Sequence, residues 1–273
     1  MIHSAYEIET RLPVMESFYT IQGEGFYQGK AAYFIRLGGC DVGCVWCDVK
    51  DSWDASKHPL KSIEEIVGEA GACFPFPVER LVVITGGEPL LYNLDQLTAE
   101  LKSAGFHTNL ETSGSSPLSG NWDWICLSPK KFKAPLPEVI AAANELKVVI
   151  FNKSDFDWAE KFASQVPPSC KLFLQPEWER SKQMTPLIID YIKQHPKWEF
   201  SLQLHKYINV PWRERRRTTD DGPPDPDISR RFHYSKALLG QQRTDYARPT
   251  FLLRAQAVNL RLNHSAQLFI FRI

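Results

Sequence analysis

The sequence of 273 residues has no long apolar run. None approaches the roughly 20 consecutive apolar residues that a transmembrane helix needs, so the pattern predicts no membrane partner. The first residues also lack the basic and then apolar order of a secretory signal, because His3, Glu7 and Glu9 occur there. The sequence therefore predicts a cytoplasmic protein whose cysteines stay reduced.

The chain has no net charge either, since 32 basic residues balance 32 acidic ones. Residues 1–211 carry 20 basic and 26 acidic side chains, whereas residues 212–273 carry 12 and 6, and eleven of those twelve are arginine. No nucleic-acid-binding module accompanies the arginines, so we expect no nucleic-acid partner. We expect one catalytic domain over 1–211 and an atypical Arg/Pro-rich tail over 212–273 that takes no part in its activity.

A disulfide framework is also missing, because three of the six cysteines lie within eight residues, at Cys40, Cys44 and Cys47. Three thiolates at this spacing can bind three corners of a [4Fe-4S] cluster and leave the fourth iron without a protein ligand. An iron with a free position indicates chemistry at the cluster rather than electron storage alone. S-adenosylmethionine is the ligand that usually fills such a position.

A structural zinc site is the alternative interpretation of these cysteines. Zinc needs four ligands, and the chain has no second C-x-x-C pair, so His58 or Asp48 would have to supply the fourth. The remaining cysteines are isolated, and two of them lie in apolar stretches; we expect buried, non-ligating thiols there. They are Cys73, Cys126 and Cys170.

Strand-like runs alternate with helical ones over the first 211 residues, which predicts an α/β fold with parallel strand pairing. We expect strands at 32–37, 81–85, 107–111, 123–127, 146–151, 171–175 and 199–204. We expect helices to start at Ser62 with a capping box to Glu65, at Asn93, at Ser154 and at Thr185 followed by Pro186, with Gly105 ending the second. The cysteines follow the first of these strands, at the end where active sites of parallel barrels form.

The segment 86–89 reads Gly-Gly-Glu-Pro and follows a buried strand. Alone it would be an ordinary tight turn, but together with the cysteines it resembles the radical S-adenosylmethionine superfamily. From about Ser17 to Pro211 the resemblance narrows to the 7-carboxy-7-deazaguanine synthases. The motifs that carry it are SFYTIQGEG at 17–25, Arg36, TGGEP at 85–89, ETSG at 111–114, SPK at 128–130, QP at 175–176 and QLHK at 203–206.

This resemblance implies a partial, modified TIM-like (β/α) barrel with a mostly parallel sheet. It implies a lyase that converts 6-carboxy-5,6,7,8-tetrahydropterin to 7-carboxy-7-deazaguanine with loss of ammonia, in queuosine or related 7-deazapurine biosynthesis. The implied cofactors are a [4Fe-4S] cluster, S-adenosylmethionine and Mg²⁺. The implied partners are the small pterin substrate, an electron donor such as flavodoxin or ferredoxin, and a second copy in a homodimer.

The resemblance also assigns residues to roles. The cluster ligands are Cys40, Cys44 and Cys47. The residues expected to bind S-adenosylmethionine are Gly86, Gly87, Glu88, Glu111, Ser113, Ser128, Lys130 and Gln175. The residues expected to bind substrate are Gln22, Glu24, Arg36, His205 and Pro211. A planar, always charged guanidinium suits the substrate carboxylate, whereas strand-end hydrogen bonding explains Glu111 or Gln175 equally well when either is taken alone.

Two positions depart from the family pattern. Many members have Thr or Ser near the magnesium ion where this chain has Val49, and a valine side chain cannot bind a hard cation. Substrate oxygens, water, a backbone carbonyl, Asp48 or Asp51 are then the available ligands. Members also commonly end near the position of Pro211, whereas 62 residues follow it here.

Two other functions compete with this interpretation. A glycyl-radical-enzyme activase shares the cysteine spacing, but Gln22, Glu24, Arg36 and His205 favour a small polar heterocycle as the substrate. A zinc-stapled binding module with an arginine-rich arm is the alternative outside enzymes.

Overall fold

We describe the protein from a computed structural model, and the structure describes residues 10–74 and 80–208. Pro211 and the 212–273 tail lie outside these residues. The strands are β1 Arg11–Ile21, β2 Ala31–Leu37, β3 Leu60–Ser62, β4 Arg80–Gly86, β5 Phe106–Thr112, β6 Trp124–Leu127, β7 Glu145–Ile150, β8 Lys171–Pro176 and β9 Glu199–Phe200. The α-helices are α1 Ile63–Cys73, α2 Asp95–Ser103, α3 Pro137–Ala142, α4 Asp155–Ala163, α5 Ser181–Gln194 and α6 Leu204–Tyr207.

The strands form one sheet in the order β3-β1-β2-β4-β5-β6-β7-β8-β9. Every pair from β2 to β9 is parallel, whereas β1 is antiparallel to both β2 and β3. Within the described residues β3 and β9 are the two edges, so the barrel does not close. The predicted fold class, an α/β partial barrel with a mostly parallel sheet, is confirmed.

Strand β4 shows why the central strands are apolar on both faces. Side chains alternate between the faces of a strand, and here Val82 and Ile84 join the core beneath the helices, while Leu81 and Val83 join a second core with Phe34. A strand buried on both faces reads as a continuous apolar run. This packing fixes the carboxyl ends of the strands, where the candidate site lies.

Most predicted strands are confirmed within a residue or so, but one differs in extent, and β1 and the short edge strand β3 were not predicted. The segment 199–204 forms a strand only at Glu199–Phe200 and then turns into helix α6. Strand β1 was missed: it contains Pro13 and an irregularity between Val14 and Glu16, which break the alternation on which recognition depends.

The capping box at α1 is confirmed, since Ser62 Oγ accepts from Glu65 N at 3.2 Å and Glu65 Oε2 accepts from Ser62 N at 2.7 Å. Gly105 ends α2 with a φ of +82°. Helix α4 starts directly after Ser154, and α2 starts two residues after Asn93.

The predicted start of α5 at Thr185 was wrong, because the helix begins at Ser181 and holds Pro186 inside it. The carboxylate of Glu177 accepts from the backbone N–H groups of Glu179 and Arg180, so it begins the turn that leads into the helix. In the ranges that the structure describes, no helix is both long and apolar enough to span a membrane.

Candidate active site

A cavity of about 230 Å³ opens at the carboxyl ends of the parallel strands. Its wall contains most of the residues that the sequence predicted for the site. These are Gln22, Glu24, Arg36, Cys40, Cys44, Cys47, Gly86, Gly87, Glu88, Glu111, Ser113, Ser128, Lys130 and Gln175. The structure thus brings together motifs that lie up to 153 positions apart in the chain.

The cysteine loop is fixed to the neighbouring glycine loop by backbone hydrogen bonds. The N–H of Glu88 donates to the carbonyl of Gly39 at 2.8 Å, and the N–H of Gly87 donates to the carbonyl of Leu37 at 2.9 Å. A Cβ on Gly87 would lie 2.0 Å from the carbonyl oxygen of Gly39. Only glycine permits this approach, so the Gly-Gly pair holds the cysteine loop against the end of β4.

The cysteines fit a cluster better than a single ion. Among residues 10–74 and 80–208, no three His, Cys, Asp or Glu side chains converge on a point where one metal ion would bind them. Zinc requires such convergence, whereas a four-iron cluster takes each thiolate of Cys40, Cys44 and Cys47 on a separate iron. The proposed zinc ligand His58 instead bonds through Nε2 to the carbonyl of Asp51 at 2.9 Å.

The carboxylate of Glu88 is buried and already bonded on both oxygens. Oε1 accepts from Leu90 N at 3.2 Å and from Thr112 Oγ1, and Oε2 accepts from Ser113 N at 2.8 Å and from Ser113 Oγ. A carboxylate has about four acceptor positions, so these bonds occupy the side chain. Glu88 therefore fixes the end of β5 against the glycine loop.

Ser128 and Lys130 also line the cavity. The Nζ atom of Lys130 donates to Ser128 Oγ at 2.6 Å and lies 5.2 Å from the ring centroid of Trp46. Burial lowers the pKa of Lys130 from its usual value. The lysine, the ring and the hydroxyl present one amphipathic face to the cavity.

A buried network of charges lines the part of the cavity that contains the predicted substrate-binding residues Gln22 and Glu24. Lys147 Nζ lies 2.6 Å from Glu24 Oε2 and 3.8 Å from Glu111 Oε1. Gln22 Nε2 donates to Glu111 Oε1 at 2.9 Å, and Gln203 Nε2 donates to Glu24 Oε1 at 3.0 Å. The network orients two of the predicted substrate-binding side chains before any ligand binds.

Burial and ion pairing shift the pKa values of this network in opposite directions. Burial alone would raise the pKa of Glu24, but Lys147 lowers it to about 2. Burial alone would lower the pKa of Lys147, but Glu111 and Glu24 raise it well above its usual value. The pair is therefore ionised at neutral pH.

Lys147 and Gln203 are the functional candidates that the sequence interpretation missed. A signal for Lys147 was present, because it lies in the otherwise apolar run Leu146–Ile150, where a buried charge needs a partner. Gln203 was noted only as part of a motif. Gln175, which was predicted, lines the cavity but accepts from Ser201 Oγ at 2.8 Å.

Arg36 lies at the carboxyl end of β2 with its guanidinium in the cavity wall. Its Nη1 lies 3.2 Å from Glu16 Oε1, and its Cζ lies 5.5 Å from the ring centroid of Phe18. The ion pair and the ring hold the guanidinium in place beside the cavity.

His205 lies behind the wall rather than in it. Its side chain is 3% exposed, and a Cβ on Gly23 would lie 2.0 Å from His205 Nδ1. The ring therefore packs on the Gln-Gly-Glu-Gly segment that carries Gln22 and Glu24. Its role as a direct substrate ligand stays a prediction.

The burial of His205 predicts how the free energy of unfolding depends on pH. Burial lowers the pKa of His205 from 6.5 to about 4. Between these values the unfolded chain binds a proton that the folded protein excludes, so the free energy of unfolding falls as the pH falls. We expect His205 to contribute up to about 3 kcal/mol to this loss.

Urea unfolding of wild type and His205→Gln at about pH 7 and about pH 5 measures this contribution. The variant should lose less stability than wild type between the two conditions. His195→Gln, whose ring bonds to the carbonyl of Tyr191 outside the cavity, is the control. An identical pH dependence in wild type and His205→Gln would contradict the assignment.

The surroundings of Val49 limit the ligands for a hard cation. Its carbonyl accepts from Ser52 Oγ at 2.6 Å and from Ser52 N at 3.0 Å, so that oxygen is engaged. Asp48 lines the cavity, and its Oδ2 lies 3.2 Å from Lys206 Nζ. Within the described residues, Asp48 accepts a hydrogen bond from Lys206 alone, so this carboxylate has acceptor positions to spare at this end of the cavity.

The chain is similar to several known proteins. The model of the Radical SAM superfamily matches residues 34–131. The 7-carboxy-7-deazaguanine synthase of Flavobacterium psychrophilum is 51% identical over 210 residues, which cover 77% of this chain and 98% of that protein. The 7-carboxy-7-deazaguanine synthase of Synechocystis sp. is 48% identical over 198 residues, which cover 72% of this chain and 93% of that protein. The crystal structure of QueE from Escherichia coli is 29% identical and superimposes with a TM-score of 0.65, covering 74% of this chain and 100% of that one.

Proposed function

The chain belongs to the 7-carboxy-7-deazaguanine synthase family, and we propose which of its residues carry out that family's reaction. The enzyme is a radical S-adenosylmethionine lyase that converts 6-carboxy-5,6,7,8-tetrahydropterin to 7-carboxy-7-deazaguanine with loss of ammonia. It uses a [4Fe-4S] cluster and S-adenosylmethionine. One observation carries the assignment of residues: the cluster, cofactor and substrate motifs line a single cavity.

Cys40, Cys44 and Cys47 bind the cluster, and the loop that contains Gly86 and Gly87 binds the methionine part of the cofactor. When bound, the cluster and S-adenosylmethionine supply hydrogen-atom abstraction from a carbon of the substrate. Glu88 acts as a positioning residue in this proposal, because its carboxylate is bonded on both oxygens. The backbone of this loop would then hold the cofactor amine.

Ser113, Ser128, Lys130, Glu111 and Gln175 are proposed to contact the rest of the cofactor. Ser128 and Lys130 form the face beside Trp46, which suits a ligand with both a ring and hydroxyl groups. Ser113 is bonded mainly to Glu88. We therefore expect Ser113 to act by holding the loop.

Gln22, Glu24 and Arg36 are proposed to bind the pterin, with His205 supporting them from behind and Pro211 adding a contact outside the described residues. Glu24 accepts from ring N–H groups, since Lys147 keeps it ionised. Arg36 pairs with the substrate carboxylate. Lys147 is proposed as a further residue that orients Glu24 and Glu111 around the substrate.

Replacing Arg36 by methionine should lower kcat/KM about 10- to 100-fold, because a charge-assisted hydrogen bond to the substrate is lost. The effect should be on KM, with the absorption of the cluster unchanged. Arg80→Met is the matched control, since Arg80 also lies over a phenylalanine, Phe106, but outside the cavity. Equal kinetics of Arg36→Met and wild type would exclude Arg36 from substrate binding.

We also propose that Mg²⁺ binds between the substrate carboxylate and Asp48. Asp48 supports this because it lines the cavity and, in the described part of the chain, bonds to Lys206 alone, whereas the Val49 carbonyl is engaged by Ser52. Carboxylate and water oxygens are the ligands that Mg²⁺ prefers.

The reaction uses a small-molecule substrate and a reductant. We propose flavodoxin or ferredoxin as the electron donor, a homodimer as the assembly and the cytoplasm as the location. The family resemblance supports each of these.

We propose that residues 1–211 form the catalytic domain and that the tail 212–273 adds nothing to catalysis. The alignment with the Flavobacterium relative supports this, because it covers 98% of that protein but 77% of this chain. A chain cut after Pro211 should therefore keep or raise the turnover of the full chain. A truncated protein that folds and binds the cluster but loses turnover would contradict the proposal.

The reaction itself is tested by anaerobic incubation of the reconstituted full chain with S-adenosylmethionine, a reductant, Mg²⁺ and 6-carboxytetrahydropterin. Mass spectrometry should find 7-carboxy-7-deazaguanine and one ammonia for each product. Cleavage of S-adenosylmethionine without a deazapurine product would overturn the substrate assignment while keeping the superfamily.

A further inference from the structure

A second, small cavity lies directly behind the substrate side of the site. It has room of about 10 Å³, which suits one molecule the size of water. Gln22, Glu24, Glu111 and Cys126 belong to its wall and to the wall of the large cavity as well. The two cavities therefore share part of their wall.

Two buried acceptor atoms in the wall of the small cavity have no hydrogen-bond partner within the described part of the chain. They are Asn109 Oδ1 and Glu145 Oε1, on residues that are 4% and 3% exposed. The other oxygen of Glu145 is held, because Oε2 accepts from Trp124 Nε1 at 2.9 Å and from Phe26 N at 3.3 Å. A buried acceptor without a donor is unfavourable, so we expect a donor in the small cavity that both residues line.

Gly25 allows a close approach of Glu145 Oε1 to the backbone. A Cβ on Gly25 would lie 2.0 Å from that oxygen, and the φ of Gly25 is +64°. The glycine of the Gln-Gly-Glu-Gly motif thus lets the Glu145 carboxylate lie against the backbone at this point, with Oε1 unbonded within residues 10–74 and 80–208.

The charges around the small cavity favour a cation. Three carboxylates, those of Glu24, Glu111 and Glu145, line it, and Lys147 is the basic side chain that pairs with the first two. A ligand that donates hydrogen bonds, accepts none and carries one positive charge matches both the open acceptors and this excess of negative charge.

We propose that this cavity binds the ammonium ion that the reaction releases. The inference rests on the proposed function, in which ring contraction expels one substrate nitrogen as ammonia, and this ammonia takes up a proton from water to give ammonium. Ammonium is close to water in size and has four N–H donors. Binding beside Glu24 and Glu111 removes the leaving group from the carbon skeleton before the product dissociates.

Thallium(I) is the probe, because it carries the charge of ammonium, is similar in size and scatters anomalously. Crystals of the reconstituted full chain, grown without ammonium, are soaked in thallium(I) acetate. The expected result is one anomalous peak between Asn109 Oδ1 and Glu145 Oε1 that added ammonium chloride displaces. A cavity that holds only water with and without thallium would overturn the proposal.

The Glu145→Gln variant tests whether the small cavity binds a cation or a water molecule. Trp124 Nε1 and Phe26 N must still find an acceptor, so the amide oxygen takes the Oε2 position and the NH₂ group faces the cavity. Water can accept from that NH₂ group, but a cation cannot. Thallium occupancy should therefore fall at least about tenfold in this variant, by the loss of one charge-assisted contact.

Glu64→Gln on the exposed face of α1 is the matched control and should keep the thallium peak. Asn109→Leu fills the cavity with apolar atoms and should also remove the thallium peak. This variant replaces Glu145→Gln in the test if Glu145→Gln does not fold. Thallium retained at full occupancy in either cavity variant would contradict the site. Because thallium binding is measured without turnover, a peak in a protein that makes no 7-carboxy-7-deazaguanine would refute the proposed reaction and leave a monovalent cation site.

Discussion

Serine in place of Cys44 is expected to abolish both the visible absorption of the reconstituted protein and the formation of product. The three cysteines of the 40–47 loop are proposed to bind separate irons, so losing one leaves two protein ligands for the cluster. A serine hydroxyl is a poor substitute for a soft thiolate. The measurement is the ultraviolet-visible spectrum and the iron content after anaerobic reconstitution, followed by the product assay.

The chain offers matched controls among its other free cysteines. Cys170 is buried and lies outside the cavity, with its Sγ 3.7 Å from the carbonyl of Lys171. Cys170→Ala should therefore keep its iron and its turnover, although removing a buried group lowers the free energy of unfolding somewhat. Full iron content in Cys44→Ser would contradict the assignment of the cluster ligands.

Methionine in place of Lys147 is expected to lower the free energy of unfolding by about 3–5 kcal/mol, because a buried ion pair loses one partner. The carboxylates of Glu24 and Glu111 would then face each other without a neutralising charge. Their orientation toward the substrate would be lost as well, so kcat/KM should fall at least about 100-fold. Denaturant unfolding and steady-state kinetics measure the two effects.

A second substitution separates stability from catalysis. Adding Glu24→Gln to Lys147→Met removes one of the uncompensated charges, so it should restore part of the stability but none of the turnover. Lys171→Met is the control, since this exposed lysine begins the neighbouring strand β8. A Lys147→Met protein with wild-type stability and kinetics would show that the network around Glu24 has no role.

The parallel part of the fold could be predicted from the sequence because the patterns that indicate it lie within short segments of the chain. Runs such as Leu81–Ile84 are apolar at every position, which marks a strand buried on both faces, and Ser62 with Glu65 gives a capping box that needs no tertiary information. The cysteine spacing and the Gly-Gly pair were also local. The structure adds the reason for the pair. Any Cβ at position 87 would lie 2.0 Å from the carbonyl oxygen of Gly39, so only glycine fits there.

The missed features depend on partners distant in the chain. Helix α5 starts before Pro186 because the Glu177 side chain organises its first turn. The ion pair of Lys147 with Glu24 joins residues 123 positions apart. No local sequence pattern predicts which carboxylate pairs with a buried lysine. In the same way, the bonds that occupy Glu88 come from Thr112 and Ser113 on the next strand.

The central claim is that one cavity binds cluster, cofactor and substrate together. A crystal structure of the anaerobically reconstituted protein with S-adenosylmethionine and 6-carboxytetrahydropterin tests it most directly. We expect the cluster on Cys40, Cys44 and Cys47, the cofactor against the 86–88 loop, and the pterin between Glu24 and Arg36. A substrate bound elsewhere, with the Glu24–Lys147 pair facing only solvent, would contradict the account.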